Sequence, residues 1–361
     1  MRIRDIQASP LSVPLREPFV IASARMDATR AVLVEVELAD EHTGRSARGV
    51  GEAACLPPVT QADQPDVLLT IETAAGALTG RACEQLEALA ELLPTEPVAR
   101  AGLECALLDA WARLEGVSLC RLLGGEPRAL LSDITLPICE PSRMAELASQ
   151  YRDQGFRHFK VKVGKSLDDD IRALRAVHAR VPDALYRLDA NAGFSASQAL
   201  TLVQQAHSAG LALECFEQPC ARDDLEGMAE VAREGGVPVI ADESVRDLAD
   251  LARVSAARAA HGVNLKLAKS GGMLAALAIG RRARASGLQV MCGGMVETRL
   301  GMTAMAHVAC ALDAVEYVDL DTAFLLAEDP FEGGYDARGP ELQLRAGAGL
   351  GVAKRTLTRP R

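Results

Sequence analysis

The sequence predicts an α/β protein: a (β/α)7β TIM-like barrel preceded by an α+β capping domain that the C-terminal tail completes. Between about residues 130 and 320, short apolar strands alternate with amphipathic helices, which is typical of βαβ units and a parallel sheet. Seven helices and eight strands over roughly 190 residues suit a closed barrel with short connections. The residues before about 125 instead show antiparallel strands followed by helices.

The first unit begins with a small antiparallel sheet over residues 2–55, in which 29–38 and 48–53 alternate as strands around a turn at 40–44. Two loops accompany this sheet, Phe19 to Thr29 and Leu56 to Pro65. Helical periodicity follows over 67–78, 82–92 and 98–114. We therefore expect a capping domain at 1–125, a barrel at 126–320 and a C-terminal segment at 321–361 that packs back on the capping domain.

The barrel elements follow at regular intervals. The first strand is predicted near 134–138, followed by a helix at 141–153, a strand at 157–163 and a helix at 167–180. Later strands end near Asp189, Glu217, Asp242, Lys266, Gly293 and Asp319. An open, doubly wound sheet is the alternative. No G-x-G-x-x-G turn follows the first strand, so the usual nucleotide signature of that fold is missing.

Composition excludes several classes of function. The net charge of −10 argues against nucleic acid as a partner, because binding phosphates requires a basic surface. No run approaches 18 apolar residues, so we expect no membrane contact, and charge interrupts the N-terminal residues where a signal peptide would be apolar. The nine cysteines lack C-x-x-C spacing and read as buried free thiols. These features predict a cytoplasmic protein.

The run Phe159-Lys-Val-Lys-Val-Gly164 places a basic residue at every second position. Side chains alternate faces along a strand, so Lys160 and Lys162 point to the same side. Two ammonium groups on the inward face of a buried strand cost free energy unless they are paired with anions or take part in catalysis. An edge strand with one solvated face is the alternative, and the later strand ends argue against it.

Acidic residues mark the ends of the next three strands. Starting from Lys162, the next residues of this set are Asp189, Glu217, Asp242 and Lys266. The successive intervals between neighbours are 27, 28, 25 and 24 residues, about one βα unit each. All of these residues therefore fall at the same end of successive strands, which in barrels is the face that carries chemistry. Three carboxylates predict an oxygen-ligand site for one Mg²⁺, and the lack of His and Cys argues against zinc.

The lysines flank this predicted metal site. A substrate held at the centre would have Lys162 on one face and Lys266 on the other, as a 1,1-proton transfer through a metal-stabilised enolate requires. We expect Lys160 and the metal charge to lower the pKa of Lys162 towards the range of a working base. Lys269 lies beyond the strand end and is expected to be solvated or to start a helix.

These motifs resemble the enolase superfamily, and within it the muconate-lactonizing subgroup, over nearly the whole chain. The resemblance implies metal ligands at Asp189, Glu217 and Asp242, acid/base lysines at Lys162 and Lys266, and a tuning or positioning role for Lys160. The mandelate racemase subgroup expects a catalytic His on the seventh strand, where this chain reads Cys292-Gly-Gly-Met-Val-Glu-Thr298. Glu297 in that segment is a candidate substrate-binding residue. Relatives are usually homo-oligomers, and we expect one here.

The eighth strand narrows the expectation within the subgroup. Asp319 and Asp321 form a D-x-D that resembles that of the dipeptide epimerases, where it holds the α-ammonium group of the substrate. The resemblance implies a dipeptide substrate whose C-terminal residue is epimerised. Relatives acting on Ala-Glu carry an arginine in the first capping loop. Arg25 is the candidate here, one residue out of register in an apolar loop, which favours small or hydrophobic dipeptides.

Three alternatives stay open. The D-x-D acids can simply meet solvent at a strand end. Another enzyme of the subgroup, a cycloisomerase, an o-succinylbenzoate synthase or an N-acylamino acid racemase, would share the metal and lysines but have no substrate ammonium to bind. A non-catalytic barrel kept as a binding or structural protein would show gaps in the set of acids and lysines, and the sequence has none.

Overall fold

The computed structural model describes residues 1–82 and 91–355. The chain begins with strands β1 (Arg2–Leu11), β2 (Pro14–Val20), β3 (Arg25–Ala28), β4 (Arg30–Ala39) and β5 (Ser46–Cys55). Strands β1, β4 and β5 form the predicted antiparallel sheet, with β4 in the centre. Both faces of β4 are covered in its first half, where Leu33 is buried as well as Val32 and Val34, so this strand alternates less strictly than one with a solvated face.

The predicted loop from Phe19 to Thr29 is in part wrong. β2 and β3 pair antiparallel, with Phe19 opposite Met26, so most of this segment is a hairpin. Its buried residues, Phe19, Ile21 and Met26, pack inward. The short strands and irregular register hide the period-2 pattern by which a hairpin is recognised in a sequence.

Helices α1 (Gln64–Leu78), α2 (Pro97–Glu115) and α3 (Leu119–Leu122) complete the first unit. A side chain at Gly49 or Gly51 would collide with the backbone of α2, since an added Cβ would lie 2.1 Å from Ala106 O or 2.2 Å from Gly102 O. Glycine therefore lets α2 lie directly on β5. The predicted helix 82–92 falls mainly on residues 83–90, outside the described residues.

The predicted barrel is confirmed. After β6 (Ala129–Leu131), eight parallel strands run in one sheet in chain order: β7 (Ile134–Leu136), β8 (His158–Lys162), β9 (Leu185–Asp189), β10 (Ala212–Glu217), β11 (Val239–Ala241), β12 (Gly262–Leu265), β13 (Gln289–Gly293) and β14 (Tyr317–Asp319). Asp133 N donates to Val318 O at 3.0 Å, which brings the last strand beside the first. This contact nearly closes the barrel and removes the open-sheet alternative.

Helices connect the barrel strands on the outside. They are α4 (Pro141–Asp153), α5 (Leu167–Arg180), α6 (Ala196–Ser208), α7 (Leu225–Glu234), α8 (Leu248–Ala257), the short α9 (Leu267–Ser270), α10 (Met273–Ala285) and α11 (Arg299–Cys310). None of the described helices is long and apolar enough to cross a membrane. The eight cysteines among the described residues are free thiols, all buried except the partly exposed Cys139.

The chain after the barrel returns to the first unit. It contains α12 (Thr322–Leu325) and strands β15 (Phe331–Gly333), β16 (Tyr335–Arg338), β17 (Glu341–Leu344) and β18 (Val352–Lys354). Gly349 exchanges hydrogen bonds with the segment between α2 and α3, and Leu350 N donates to Asp109 at 2.7 Å. The domain divisions at 125 and 320 stay predictions.

Two buried glutamates of the capping unit bind the N-termini of barrel helices. Glu52 on β5 accepts from Thr298 and Gly301 at the start of α11. Glu104 on α2 accepts from the backbone of Met273 at the start of α10, a helix whose N-cap, Gly272, has no side chain to do so. The first N–H groups of a helix have no acceptor within the helix, so these hydrogen bonds satisfy them and join the two parts of the molecule.

Replacing Glu52 with Gln should flatten the dependence of stability on pH. Burial, followed by the Glu297 carboxylate, raises the pKa of Glu52 to about 8, whereas an unfolded Glu titrates near ~4.3. In the wild type, protonated Glu52 therefore contributes fully to the free energy of unfolding below the unfolded pKa, and this contribution is lost as pH rises through the folded pKa. Its size is about 1.4 kcal/mol for each unit by which the folded pKa exceeds the unfolded one. Urea unfolding at about pH 5.5 and 8.5 checks this, and an equal fall in both proteins would contradict it.

Candidate active site

Two lysines lie on the inner face of β8. Lys160 is 1% exposed and Lys162 is 6% exposed. β8 pairs with β7 on one side and β9 on the other, so the edge-strand alternative is wrong. The alternation of Lys with buried Phe159 and Val161 sends the apolar side chains outward against the helices and the lysines inward.

The three predicted carboxylates converge on these lysines. Lys160 Nζ lies 3.0 Å from Asp189 Oδ2 and 2.8 Å from Glu217 Oε2. Lys266 Nζ lies 2.6 Å from Asp242 Oδ2 and 3.7 Å from Glu217 Oε1. Glu217 is therefore shared between the two ammonium groups, and the strand-end register inferred from the sequence is present in the fold.

The carboxylate set fits a hard divalent cation. Asp189, Glu217 and Asp242 offer only oxygen atoms, the donors that Mg²⁺ prefers. Glu217 Oε2 is buried, and its neighbour in this arrangement is the Lys160 ammonium group at 2.8 Å. Burial opposes ionisation of Asp189 and Asp242, but neighbouring lysines outweigh it and hold the pKa of both below the ordinary range. Burial and the charge of Asp189 raise the pKa of Glu217.

Lys162 and Lys266 face each other across the barrel. β8 and β12 are four strands apart in a ring of eight, and both lysines line one cavity at the carboxyl ends of the strands. Lys162 Nζ donates to Asp189 Oδ2 at 2.6 Å and to Asn191 Oδ1 at 3.3 Å. Asn191 adopts a left-handed backbone with φ of 41°, a conformation common at functional turns.

The pKa values of two lysines follow from the same contacts. Burial lowers the pKa of Lys160 and Lys266, but the surrounding carboxylates outweigh burial and raise both well above the ordinary value. Asp189 contributes most to the rise at Lys160, and Asp242 contributes most at Lys266. The expected lowering of the Lys162 pKa stays a prediction.

A second acidic cluster borders the cavity. Asp133, Asp319 and Asp321 each place an oxygen within 4.8 Å of the others, and all three are buried. Asp319 Oδ2 accepts from Lys160 Nζ at 2.7 Å, and Asp133 Oδ2 accepts from Arg187 at 2.8 Å. Asp321 Oδ2 accepts from Thr135 N, whereas Asp321 Oδ1 has no hydrogen-bond partner among the described residues. This cluster suits a cationic group.

The sequence analysis missed Asp133 and misplaced Asp321. β14 ends at Asp319, and Asp321 lies at the N-cap of α12 rather than on the strand. Asp133 precedes β7 and reaches the cluster only because the barrel closes β7 against β14. In the sequence, Asp133 is recognisable only as a single charged residue directly before an apolar strand. This pattern is too common to identify a functional site.

The remaining cavity wall is apolar. Lys162 Nζ lies 5.8 Å from the centre of the Phe19 ring, a cation–π distance. The apolar side chains that line the cavity come from the hairpin, from the segment after β5 and from the segment after β13: Phe19, Ile21, Leu56, Val59 and Met295. The capping unit thus supplies most of the apolar surface that a substrate would meet.

Three sequence predictions need correction. Arg25 is exposed, pairs with Asp27 at 3.1 Å and lines a separate open cleft with Lys165 and Arg172. Glu297 does not line the cavity; its Oε1 accepts from Met295 N at 2.7 Å, and burial raises its pKa to about 7. Lys269 does lie in the short helix that starts after Lys266, but it is not solvated, since it is 6% exposed. Local sequence shows neither the hairpin that turns Arg25 outward nor the contacts that bury the other two.

Two family models match the chain. The enolase C-terminal domain-like model covers residues 143–356, and the N-terminal domain model of mandelate racemase/muconate lactonizing enzyme covers residues 4–124. Together they cover most of the barrel and of the capping unit described above.

Known proteins are similar over most of their length. The L-Ala-D/L-amino acid epimerase of Populus trichocarpa is 42% identical, with 93% of this chain and 81% of that protein covered. The L-Ala-D/L-Glu epimerase of Bacillus subtilis is 35% identical over 98% of this chain and 97% of that protein. The dipeptide epimerase structure from Enterococcus faecalis, complexed with Mg and L-Leu-L-Tyr, has a TM-score of 0.90 at 31% identity, covering 98% and 100%. The chain therefore belongs to the mandelate racemase/muconate lactonizing enzyme family of the enolase superfamily.

Proposed function

We propose that the protein is a Mg²⁺-dependent dipeptide epimerase that inverts the α-carbon of the C-terminal residue of an L,L-dipeptide. One observation carries the proposal: two buried lysines on opposite strands flank a cavity that also contains an unpartnered aspartate oxygen. The lysines suit proton transfer from two sides, and the aspartate suits a substrate ammonium group. The epimerase names of the relatives, and the Mg and dipeptide in the Enterococcus faecalis structure, support the same reading.

Asp189, Glu217 and Asp242 would hold the cation. When bound, Mg²⁺ would neutralise these carboxylates and stabilise negative charge that develops on the carboxylate end of the substrate. The residues around the ligands then fix their positions. Asn264 Nδ2 donates to Glu217 Oε1 at 2.8 Å, and Asn191 N donates to Asp189 Oδ1 at 3.0 Å.

The proton moves between lysine and carbon on two faces. One lysine Nζ accepts the α-proton from its side of the substrate, and the ammonium group of the other donates a proton from the opposite side. Inversion follows because the donor lies across the barrel from the acceptor. Lys160 is not assigned this exchange, because its ammonium group lies within 3.0 Å of carboxylate oxygens of Asp189, Glu217 and Asp319 and its three N–H donors are engaged there.

Asp319 and Asp321 would bind the α-ammonium group at the N-terminal end of the dipeptide. Asp321 is held by Thr135 N through Oδ2, which leaves Oδ1 available. A buried, unpartnered carboxylate oxygen is costly, and a substrate ammonium would satisfy it. This orientation directs the C-terminal residue towards the lysines and the predicted metal ligands.

We expect the enzyme to prefer dipeptides with an apolar C-terminal residue. The wall of Phe19, Ile21, Leu56, Val59 and Met295 offers no cation to a substrate carboxylate, and Arg25 lies elsewhere. Burying a Leu- or Phe-sized side chain is worth about 1.5–3 kcal/mol, or roughly 10- to 150-fold in kcat/KM. Comparing Ala-Leu and Ala-Phe with Ala-Glu tests this, and a higher kcat/KM for Ala-Glu would contradict it.

Proton NMR in D₂O with Mg²⁺ tests the function itself. The panel contains Ala-Ala, Ala-Leu, Ala-Phe and Ala-Glu, with N-succinyl amino acids as controls. Loss of the C-terminal α-proton signal, with the diastereomer appearing, is the expected result. Exchange only in the N-succinyl compounds would replace this function with that of an N-acylamino acid racemase.

Two further expectations belong to the proposal. We propose that the protein is a homo-oligomer and that it acts in a reducing, cytoplasmic environment, where free cysteines persist. Sedimentation analysis checks the first expectation, and localisation of the tagged full chain checks the second.

A further inference from the structure

Lys269 is a buried cation that lies just outside the cavity. It belongs to α9, the short helix that begins directly after Lys266, and only 6% of it is exposed. A lysine is rarely buried to this degree unless its ammonium group is paired. The hydrogen-bond partners of its ammonium group are therefore the reason why Lys269 can be buried.

The Lys269 ammonium group makes three hydrogen bonds. Nζ donates to Asp242 O at 2.6 Å, to Asp242 Oδ1 at 2.7 Å and to Asn264 O at 2.7 Å. An ammonium group has three N–H donors, so all of them are used. Two of the acceptors are backbone oxygens, at the end of β11 and within β12. Lys269 thus joins two neighbouring strands where they enter the site.

These bonds fix both sides of the predicted metal ligand. Lys269 holds Asp242 Oδ1, while Lys266 holds Asp242 Oδ2 at 2.6 Å. Asn264, whose carbonyl accepts from Lys269, donates through its side chain to Glu217. The backbone turn that follows Lys266 is closed by Lys269 N and Ser270 N, which both donate to Lys266 O.

We propose that Lys269 is a positioning residue, which fixes Asp242 for metal binding and the turn that carries Lys266 for proton transfer. The proposal rests on the roles given to Asp242 and Lys266 in the proposed function. Loss of a hydrogen-bond partner of a metal ligand typically lowers metal affinity or activity by about 10- to 100-fold. We expect a loss of that size here because the bonds to Lys269 are buried and charge-assisted.

Lys269→Met tests the proposal, since Met keeps an unbranched side chain only one atom shorter than that of Lys and removes the charge and the donors. Calorimetric titration with Mg²⁺ alone should show affinity weakened by about 10- to 100-fold. Deuterium exchange in dipeptides should fall more for the epimer served by Lys266 than for the epimer served by Lys162. Lys354→Met is the matched control, because Lys354 is exposed and pairs with Glu35 on the capping sheet.

The outcomes separate this proposal from the proposed function. Mg²⁺ affinity and an exchange ratio within about twofold of wild type, with only the melting temperature lowered, would mean a purely structural role and overturn the proposal. Absence of dipeptide activity in the wild type would overturn the proposed function, while the Mg²⁺ titration would still test Lys269. If Lys269→Met does not fold, Lys269→Gln keeps an N–H donor without the charge, and the same Mg²⁺ comparison decides.

Discussion

Replacing Lys266 with Ala should abolish epimerisation while leaving hydrogen exchange with solvent at the α-carbon of one epimer. Lys162 lies on β8 and Lys266 directly follows β12 across the ring, so in the proposed function each serves one face of the substrate. Removing one lysine leaves the other able to take and return a proton on its own face. A positioned acid or base contributes about 10²- to 10⁴-fold, so kcat for epimerisation should fall by at least that amount.

The reciprocal variant makes this expectation specific. Lys162→Ala should lose exchange from the epimer that Lys266→Ala retains, as measured by NMR of the separate L,L and L,D dipeptides in D₂O. Lys354→Ala, a change of the same kind on the capping sheet, should leave both rates unchanged. Equal loss of exchange for both epimers in both variants would show that the two lysines do not act on separate faces.

Asp321→Asn should sharply reduce turnover of dipeptides, whereas any exchange measured in N-succinyl amino acids, which carry no α-ammonium group, should be unaffected. The change keeps the size of the side chain and an oxygen for Thr135 N, but it removes the negative charge available to an ammonium group. Loss of one partner of a buried charge pair costs about 2–5 kcal/mol, or roughly 30- to 4,000-fold in kcat/KM. Asp313→Asn, on the exposed segment before β14, is the control.

The buried carboxyl group of Asp321 also predicts how kcat/KM for dipeptides depends on pH. Burial and the charge of Asp319 raise the pKa of Asp321 to about 7. Below that pH Asp321 is neutral and binds an ammonium group poorly, so kcat/KM for dipeptides should fall as pH drops through about 7. In Asp321→Asn this fall in kcat/KM should be missing.

Equal loss of dipeptide and N-succinyl activity in Asp321→Asn would contradict a role in binding the substrate ammonium group. It would instead mean that Asp321 supports Thr135 and the barrel wall.

The sequence by itself determined the barrel and the register of its central residues. The positions of Lys162, Asp189, Glu217 and Asp242 follow from two local rules, the alternation of side chains along a strand and the repeat length of a βα unit. Both rules act within one unit of the chain. For this reason the strand ends, and the residues that converge there, were predictable before the fold was known.

Only the tertiary structure decided which residues from distant parts of the chain surround this central set and how they are oriented. Asp133 joins Asp319 because the last strand closes on the first, which places residues 186 positions apart in one cluster. Lys269 becomes buried because two strand ends offer it three acceptors, and Arg25 turns outward because an irregular hairpin sets its direction. In each case a contact between distant segments outweighs the local preference of the residue, and no pattern within a single element records such a contact.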